Sequence, residues 1–182
     1  MSNNYQNIHQ TLIDKCKSGD KKAQFEIYKL YYKSMYNTSL RIVNSTQEAE
    51  DIMQEAFLSA FDKIEYYSGN VSFGAWLKKI VVNKSIDTLR NNKIFSSFDE
   101  INTDECVEYE TYEFSNQIEI NQQVEKIKKA INSLPNGYRI IISLNLIEGY
   151  DHEEISQILN ITSATSRSQF MRAKRKLIQL LN

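Results

Sequence analysis

The fold is decided by the carboxy-terminal stretch, residues 151–182, which reads DHEEISQILNITSATSRSQFMRAKRKLIQLLN. Asp151 and Glu154 have the spacing of a capping box, in which two side chains accept hydrogen bonds from otherwise unpaired amides at a helix start. Asn160 can adopt the left-handed backbone conformation that most residues resist, and Thr162 or the serine after it can cap a second helix. The stretch therefore predicts a helix-turn-helix.

The second helix of this pair has one apolar side and one basic side. Its apolar residues recur at helical spacing, and they are Phe170, Ala173, Leu177 and Leu181. No acidic residue follows Ser163, and the cations are Arg167, Arg172, Lys174, Arg175 and Lys176. A solvated helix face usually mixes both signs of charge, so an all-cationic face favours an anionic ligand such as DNA. The alternative is an ordinary solvated basic face on a terminal helix.

The composition is that of a soluble globular protein with room for one large or two small domains. The chain has 182 residues, of which 41% are hydrophobic and 25% charged. No apolar run approaches membrane-spanning length, and the first residues lack the pattern of a secretory signal, so we expect a cytoplasmic protein that does not insert into a membrane. Cys16 and Cys106 are isolated, which argues against a disulfide framework or a metal site. We therefore predict no metal and no cofactor.

Charge is segregated along the chain. Residues 93–117 hold seven acidic residues and one lysine, a net charge of −6, although the whole chain carries only −1. The remaining residues therefore carry +5. Because this acidic segment is polar and lacks sustained periodicity, it is predicted to be a flexible linker between two helical domains, residues 1–92 and 118–182.

Helical periodicity runs through both predicted domains. The chain has only five glycines and one proline, and strand-like alternation is absent, so the predicted fold class is all-α. In the first domain, a helical bundle, the patterns and capping residues predict helices over about 8–17, 21–43, 45–64 and 72–91. In the second, a four-helix domain, they predict helices over about 120–134 and 135–147 before the helix-turn-helix. Leu30 is placed on the apolar side of the second helix, and residues 138–147, apolar nearly all round, are expected to form the buried centre of the second domain.

Acidic residues line the polar face of the predicted third helix. They are Glu48, Asp51, Glu55 and Asp62, at helical spacing. A carboxylate-bridged metal site in a helical bundle requires a histidine three residues after a glutamate, and neither His9 nor His152 has that neighbour. The face is thus either simply solvated or a docking surface for a protein partner.

The next loop and helix carry groups suited to nucleic acid. A polar stripe follows the fourth helix and consists of Lys79, Asn83, Asp87 and Arg90. Tyr66 and Tyr67, in the preceding loop, offer rings on which bases can stack. Tyrosines beside a helical bundle more often lie at the edge of its core, and the residues alone leave both interpretations open.

These segments, in this order and spacing, resemble the bacterial extracytoplasmic-function (ECF) sigma factors over about residues 12–91 and 124–181. Residues 49–57, AEDIMQEAF, are similar to the family's helix that docks on the clamp helices of RNA polymerase. Residues 76–80, WLKKI, with Asn83, Asp87 and Arg90, resemble its promoter-melting segment. Six short motifs resemble parts of the family's domain that reads the upstream promoter element. They are LP at 134–135, YR at 138–139, EG at 148–149, HEEI at 152–155, TSRS at 165–168 and RAK at 172–174.

The resemblance implies a role for each surface. Core RNA polymerase would be bound by Asp51, Gln54 and Glu55. An unstacked base of the minus-ten element would be captured by the loop and helix that contain Tyr66, Tyr67, Ser68, Asn70, Phe73, Trp76, Lys79, Asn83 and Arg90. The DNA of the minus-thirty-five element would be bound by Thr165, Arg167, Ser168, Gln169, Arg172 and Lys176.

The implied function is that of a sigma factor, which binds core RNA polymerase and promoter DNA and directs promoter recognition, melting and initiation without being an enzyme. The family leads us to expect an anti-sigma factor as regulator and no small-molecule substrate. A stand-alone helix-turn-helix regulator would explain the second domain but leaves the Asp51 face and the Trp76 helix without a role. A helical enzyme would need a phosphate-binding glycine loop or a metal cluster, and the sequence has neither motif.

Overall fold

A computed structural model of the chain describes residues 8–92 and 117–182, and of residues 117–121 it describes only the backbone. Every regular element within those ranges is helical, so the predicted all-α fold class is confirmed. The predicted linker covers 93–117, and all of it except Gln117 lies outside the described ranges, as does Cys106.

Contacts divide the chain into two compact units, Met1–Leu89 and Arg90–Asn182. The first contains α1 (Gln10–Lys17), α2 (Lys21–Val43), α3 (Thr46–Asp62), a 3-10 turn (Ile64–Tyr66) and α4 (Phe73–Asn91), which extends slightly past the division. The second contains α5 (Gln117–Asn132), α6 (Asn136–Ile142), a π-helical turn (Ser143–Ile147), α7 (His152–Leu159) and α8 (Ser163–Leu181).

Three helices of the first unit begin at the capping residues that the sequence predicts. The Asp20 carboxylate accepts hydrogen bonds from the amides of Lys22 and Ala23 at 2.8 and 3.2 Å. Ser45 and Ser72 cap α3 and α4, and their hydroxyls accept from the amides three residues on, at 3.4 and 3.2 Å. Each cap satisfies an amide that has no partner inside its own helix, which fixes where the helix starts.

The core of the first unit is organised around Phe73, the first residue of α4, which is fully buried. Its ring centroid lies 5.5 Å from that of Tyr31 on α2, and also 5.5 Å from those of Tyr67 and Trp76. Aromatic pairs at this separation stabilise a fold beyond the apolar area that they bury. The packing is close, since a Cβ atom added at Gly74 would lie 3.0 Å from the Tyr31 ring.

Two details of the first unit differ from the sequence prediction. Ile8, predicted to open the first helix, lies before α1 and is 92% exposed. Leu30 is 50% exposed, because the buried stripe of α2 runs from Ala23 through Ile27 to Ile42 and Leu30 falls on its flank.

The second unit buries the apolar side of α8, as the sequence predicts, and the structure shows that this side packs against α5 and α6. One cluster joins the three helices, and it consists of Ala130, Ile131, Leu134, Tyr138, Ile142, Ala173 and Leu177, with Phe170 and Leu181 packed against it. On α5, Val124 and Ile127 continue the apolar pattern but remain 41% and 40% exposed. The core therefore lies toward the carboxy-terminal half of α5.

The segment 135–147 is partly different from its prediction. Pro135 precedes α6 as expected, and the isoleucines at 140–142 are buried. The chain then widens into the π-helical turn, so Leu146 and Ile147 turn away from the core and are 57% and 43% exposed. Arg139 is unexpectedly buried, and its guanidinium donates a 2.7 Å hydrogen bond to the Asn136 side chain. Burial lowers the pKa of Arg139.

The helix-turn-helix forms at the predicted residues. The Asp151 carboxylate accepts from the amides of Glu153 and Glu154, both at 2.8 Å, and Glu154 accepts from the Asp151 amide at 3.0 Å, which completes the capping box. Asn160 ends α7 in the left-handed conformation, with φ of 56°. Thr162 caps α8 by accepting from the Thr165 amide at 3.0 Å.

The conformation of Asn160 predicts how substitutions there change stability. Asn160→Ala should lower the free energy of unfolding of the second unit by about 1 kcal/mol, because a Cβ without a local polar group is strained at positive φ. Asn160→Gly should stay close to the wild type. Urea unfolding of the whole chain, monitored by hydrogen exchange at the amides of α7 and α8, measures the difference in the free energy of unfolding. Equal stability of the two variants would contradict the assigned backbone conformation.

Candidate functional site

The first candidate surface is the polar face of α3. Asp51, Gln54 and Glu55 are all exposed on it, with the two carboxylates one helical turn apart. Glu55 also forms an ion pair with Lys84 of α4 at 3.2 Å, in which the lysine is the less exposed partner, at 30% against 67%. Glu55 therefore takes part in holding α3 against α4, whereas Asp51 projects one turn away from that pair.

A groove between α2 and α3 borders this face, and it was not predicted from the sequence. It encloses about 550 Å³ and is lined by Tyr28, Tyr32, Lys33, Tyr36, Asn37, Glu50, Met53 and Gln54. The rings of Tyr28 and Tyr32 are stacked, with centroids 5.6 Å apart. Tyrosines at positions 28, 32 and 36 share one side of a helix, and this four-residue spacing was the available signal. Gln54 belongs both to the groove and to the polar face.

The loop between α3 and α4 corrects the prediction for two aromatic residues. Tyr67 is only 3% exposed and Phe73 is fully buried. The Tyr67 hydroxyl donates to the Val71 carbonyl at 2.5 Å, and its ring lies 5.2 Å from that of Trp76. Neither Tyr67 nor Phe73 offers a ring face to a base, because both pack inside the first unit. Tyr66, by contrast, is 83% exposed.

The other predicted minus-ten residues remain accessible. Exposed side chains are those of Ser68, Asn70, Lys79, Asn83 and Arg90, and Trp76 is half-buried. Lys79 and Asn83 stand one turn apart on α4 and follow the exposed loop in the chain. The polar stripe and the loop thus supply the accessible part of the predicted set, and their contact with DNA stays a prediction.

The second candidate surface is the amino-terminal half of α8. Arg167 donates to the Ser163 hydroxyl at 2.7 Å, and its guanidinium lies 4.0 Å from the Glu153 carboxylate. The Ser168 hydroxyl donates to the Thr165 carbonyl at 3.0 Å, and Thr165 also bonds the capping threonine through its hydroxyl at 2.8 Å. These local bonds hold the side chains along the helix surface.

Further along α8 the basic face continues. Arg172 and Lys176 are exposed, and Gln169 is half-buried. The pKa of Tyr138 is raised by burial, and the nearby positive charge of Arg172 partly opposes that shift. Arg172 therefore lies where the apolar core of the second unit meets its cationic surface.

A bond not anticipated from the sequence joins the two helices of the helix-turn-helix. His152 Nδ1 lies 2.9 Å from the hydroxyl of Ser166, which is completely buried. The His152 ring also meets Phe170 edge to face, with centroids 5.5 Å apart. Since His152 opens α7 and Ser166 lies in the first turn of α8, these contacts fix the angle between the helices.

Among the described residues, no group of three or more histidine, cysteine or carboxylate side chains is arranged to hold a metal ion. Within 8–92 and 117–182, no helix is both long enough and apolar enough to cross a bilayer.

Comparison with known proteins identifies both halves of the chain. Residues 27–94 match Sigma-70 region 2, and residues 125–177 match Sigma-70, region 4. The chain is 30% identical over 172 residues to the ECF RNA polymerase sigma factor SigW of Bacillus subtilis (strain 168), covering 91% of this chain and 92% of that protein. It is 26% identical to the RNA polymerase sigma-H factor of Pseudomonas aeruginosa, covering 94% and 93%.

Two solved structures share the fold. One is CnrH in complex with the cytosolic domain of CnrY, at a TM-score of 0.56 and 19% identity, covering 95% of this chain and 96% of that chain. The other is the sigma factor RpoE in complex with the anti-sigma factor NepR from Bartonella quintana, at a TM-score of 0.55 and 22% identity, covering 86% and 94%.

The two helical units, each matching a sigma-factor region, define a factor of transcription initiation. The chain belongs to the ECF family of RNA polymerase sigma factors. It is a non-enzymatic subunit that acts with core RNA polymerase and directs promoter recognition.

The burial of one loop tyrosine and the exposure of the other predict different effects on stability. Tyr67→Ala should lower the free energy of unfolding by about 3 kcal/mol or more, because it removes a buried ring. Tyr66→Ala should change it by less than about 0.5 kcal/mol, as expected for an exposed side chain. Thermal unfolding monitored by fluorescence of Trp76, the only tryptophan, reports on the first unit. A large loss of stability in Tyr66→Ala would mean that its ring packs in solution.

Proposed function

We propose that the two units divide the work of initiation. The first unit binds core RNA polymerase through Asp51, Gln54 and Glu55 and engages the minus-ten element, and the second binds the minus-thirty-five element through α8. One observation carries this proposal: the exposed carboxylate face of α3 and the exposed cationic face of α8 occupy different units, each inside the matched sigma region. A carboxylate face suits a basic protein surface, and a cationic helix suits DNA.

At the minus-ten element, the loop and the polar stripe of α4 receive an unpaired base. Tyr66 supplies the exposed ring on which a base can stack, and Ser68 and Asn70 supply hydrogen-bonding groups beside it. Lys79, Asn83 and Arg90 extend the contact along α4, and half-buried Trp76 lies at the margin between core and surface. Tyr67 and Phe73 have no direct contact in this mechanism, because their rings are buried.

At the minus-thirty-five element, α8 enters the major groove by its amino-terminal half. Arg167, Ser168 and Arg172 contact base edges, and Lys176 contacts phosphate. Thr165 and Gln169 lie on the same half of the helix and complete the contact surface. Arg167 has to leave Ser163 and Glu153 to reach a base, which costs little, since exposed ion pairs contribute at most about 1 kcal/mol.

An anti-sigma protein is the proposed regulator. One of the structures that share this fold is a sigma factor in complex with an anti-sigma factor. A comparable inhibitor would keep this chain from core polymerase in the cytoplasm, where transcription takes place. The aromatic groove beside Gln54 adjoins the proposed polymerase face, so an inhibitor bound there would exclude polymerase.

The central test compares this chain alone, core polymerase alone and the mixture, on DNA selected by the mixture from a random pool. Unpairing a base costs a few kcal/mol, and the chain has no nucleotide-hydrolysis motif to supply that energy. The isolated chain should therefore bind weakly and with strong salt dependence, whereas the mixture should open the strands and initiate RNA synthesis. Tight sequence-specific binding by the chain alone, without effect on initiation, would instead favour a stand-alone regulator.

For polymerase binding, Asp51→Lys is the informative substitution. Reversing this exposed charge should weaken the affinity for core polymerase by about tenfold or more and leave the fold intact. Glu55→Lys is less informative, because it would also break the ion pair with Lys84 and place a second cation beside it. Asp14→Lys is the matched control, since it makes the same charge change on the exposed side of α1. Equal binding by the Asp51 and Asp14 variants in a titration would remove the α3 face from the mechanism.

For promoter reading, Arg167→Ala and Lys176→Ala should differ in kind. Arg167→Ala should cost about 1–3 kcal/mol and relax the preference at one base pair, because a bidentate base contact is lost. Lys176→Ala should weaken binding to all sequences alike and reduce the salt slope by about one. Binding of holoenzyme to single-base promoter variants separates the two. If both variants lose affinity equally for every promoter sequence, Arg167 contacts phosphate and not a base.

A further inference from the structure

A lysine of α1 reaches the loop between α3 and α4. Lys17 Nζ donates a 3.0 Å hydrogen bond to the main-chain carbonyl of Tyr67, fifty residues further along the chain. The same ammonium lies 5.8 Å from the centroid of the Tyr67 ring. Lys17 is the last residue of its helix and is half-buried. It therefore binds both the backbone and the ring of one loop residue.

Tyr67 makes the contacts that hold the loop between α3 and α4 in place. Its amide donates to the Ile64 carbonyl at 3.1 Å, and its hydroxyl donates to the Val71 carbonyl at 2.5 Å. Its ring packs against Phe73 and Trp76. With the Lys17 bond, the Tyr67 main chain is fixed at both its amide and its carbonyl, and its side chain spans the loop to Val71.

The residues on either side of Tyr67 are accessible to a ligand. Tyr66 is 83% exposed, and Ser68 and Asn70 are exposed as well. The positions of Tyr66 and Ser68 follow from the buried residue between them, because both are bonded to its backbone, and Asn70 lies in the segment that the bond from Tyr67 to Val71 spans. A loop that is already ordered loses less conformational entropy when a ligand binds.

We propose that Lys17 is a positioning residue for the minus-ten element: together with Tyr67 it holds the loop at 66–70 in the shape that receives an unpaired base. This inference rests on the proposed function of the loop and assigns α1 a part in it. A hydrogen bond from an ammonium to a carbonyl is stronger than one between neutral groups. The Tyr67 ring adds a cation–π contact, so Lys17→Arg preserves both interactions and Lys17→Met preserves only the aliphatic stem.

The first measurement uses the free chain and the fluorescence of Trp76, the only tryptophan, which packs on Tyr67. Lys17→Met should shift the emission and increase quenching by acrylamide, because the loop no longer covers the ring as tightly. Lys17→Arg should restore the wild-type spectrum. Lys15→Met, which replaces an exposed lysine on the same helix, is the matched control and should have no effect. Identical spectra for all four proteins would overturn the inference.

The second measurement uses holoenzyme and a pool of DNA fragments that are premelted and randomised across the minus-ten element, with a fixed upstream element. Wild-type holoenzyme should enrich particular bases in the melted segment. Lys17→Met should reduce that base preference by about tenfold, the scale of one charge-assisted hydrogen bond, and leave upstream binding unchanged. Tyr67→Phe, which keeps the buried ring but loses the bond to Val71, should act in the same direction.

The outcomes separate this inference from the proposed function. If wild-type holoenzyme shows no base preference in the melted segment, the loop does not read a base and the proposed function of the loop fails. If the wild type shows a preference and Lys17→Met retains it in full, the positioning role alone is overturned. If Lys17→Met weakens binding equally for every sequence, Lys17 contacts phosphate and the inference is likewise overturned. Loss of preference that Lys17→Arg restores supports it.

Discussion

The first unit depends on the burial of the Phe73 ring. Phe73 opens α4, and its ring meets aromatic rings from α2, from the loop before α4 and from the next turn of α4. The start of α4 therefore cannot move without opening the core. Because the polar stripe of α4 and the exposed loop both adjoin this cluster, apolar packing sets their relative placement, and the hydrogen bonds of Tyr67 add to it. The proposed DNA-binding surface is therefore positioned by a rigid apolar core.

The helices of the two units are held in place by different kinds of contact. In the first, long helices pack around aromatic residues, and the exposed α3 face carries carboxylates, of which Glu55 is tied to α4 through Lys84. In the second, α7 and α8 are fixed by caps and by the bond between His152 and Ser166, which leaves the basic side of α8 exposed. The carboxylate face of α3 and the cationic face of α8 lie in different units, so the proposed protein-binding and DNA-binding surfaces do not compete for the same ligand.

Features set by neighbouring residues in the chain were predictable from sequence. Asp20, Asp151 and Asn160 act within one helical turn of themselves, and their caps and left-handed turn occur where predicted. Contacts between distant segments were not predictable. Tyr66 and Tyr67 are adjacent in a loop without periodicity, and only the surrounding fold decides which ring is buried.

Two further features could not be predicted from the sequence. Helical periodicity assumes a regular helix, so it could not anticipate the π-helical turn that exposes Leu146. Glu55 and Lys84 lie on different helices, and the distance between them follows from packing that no local pattern records. The exposed candidate residues were thus found from motif and charge, whereas their supporting contacts required the structure.

The bond between His152 and Ser166 has an evolutionary consequence. It lies on the inner side of α8, whereas Arg167, Ser168 and Arg172 lie on the outer side. In the proposed mechanism, substitutions on the outer side change which promoters are recognised while the angle between the two helices is kept. Duplicated copies of such a gene can therefore diverge in the genes that they control by a few surface changes, without first having to acquire a new fold.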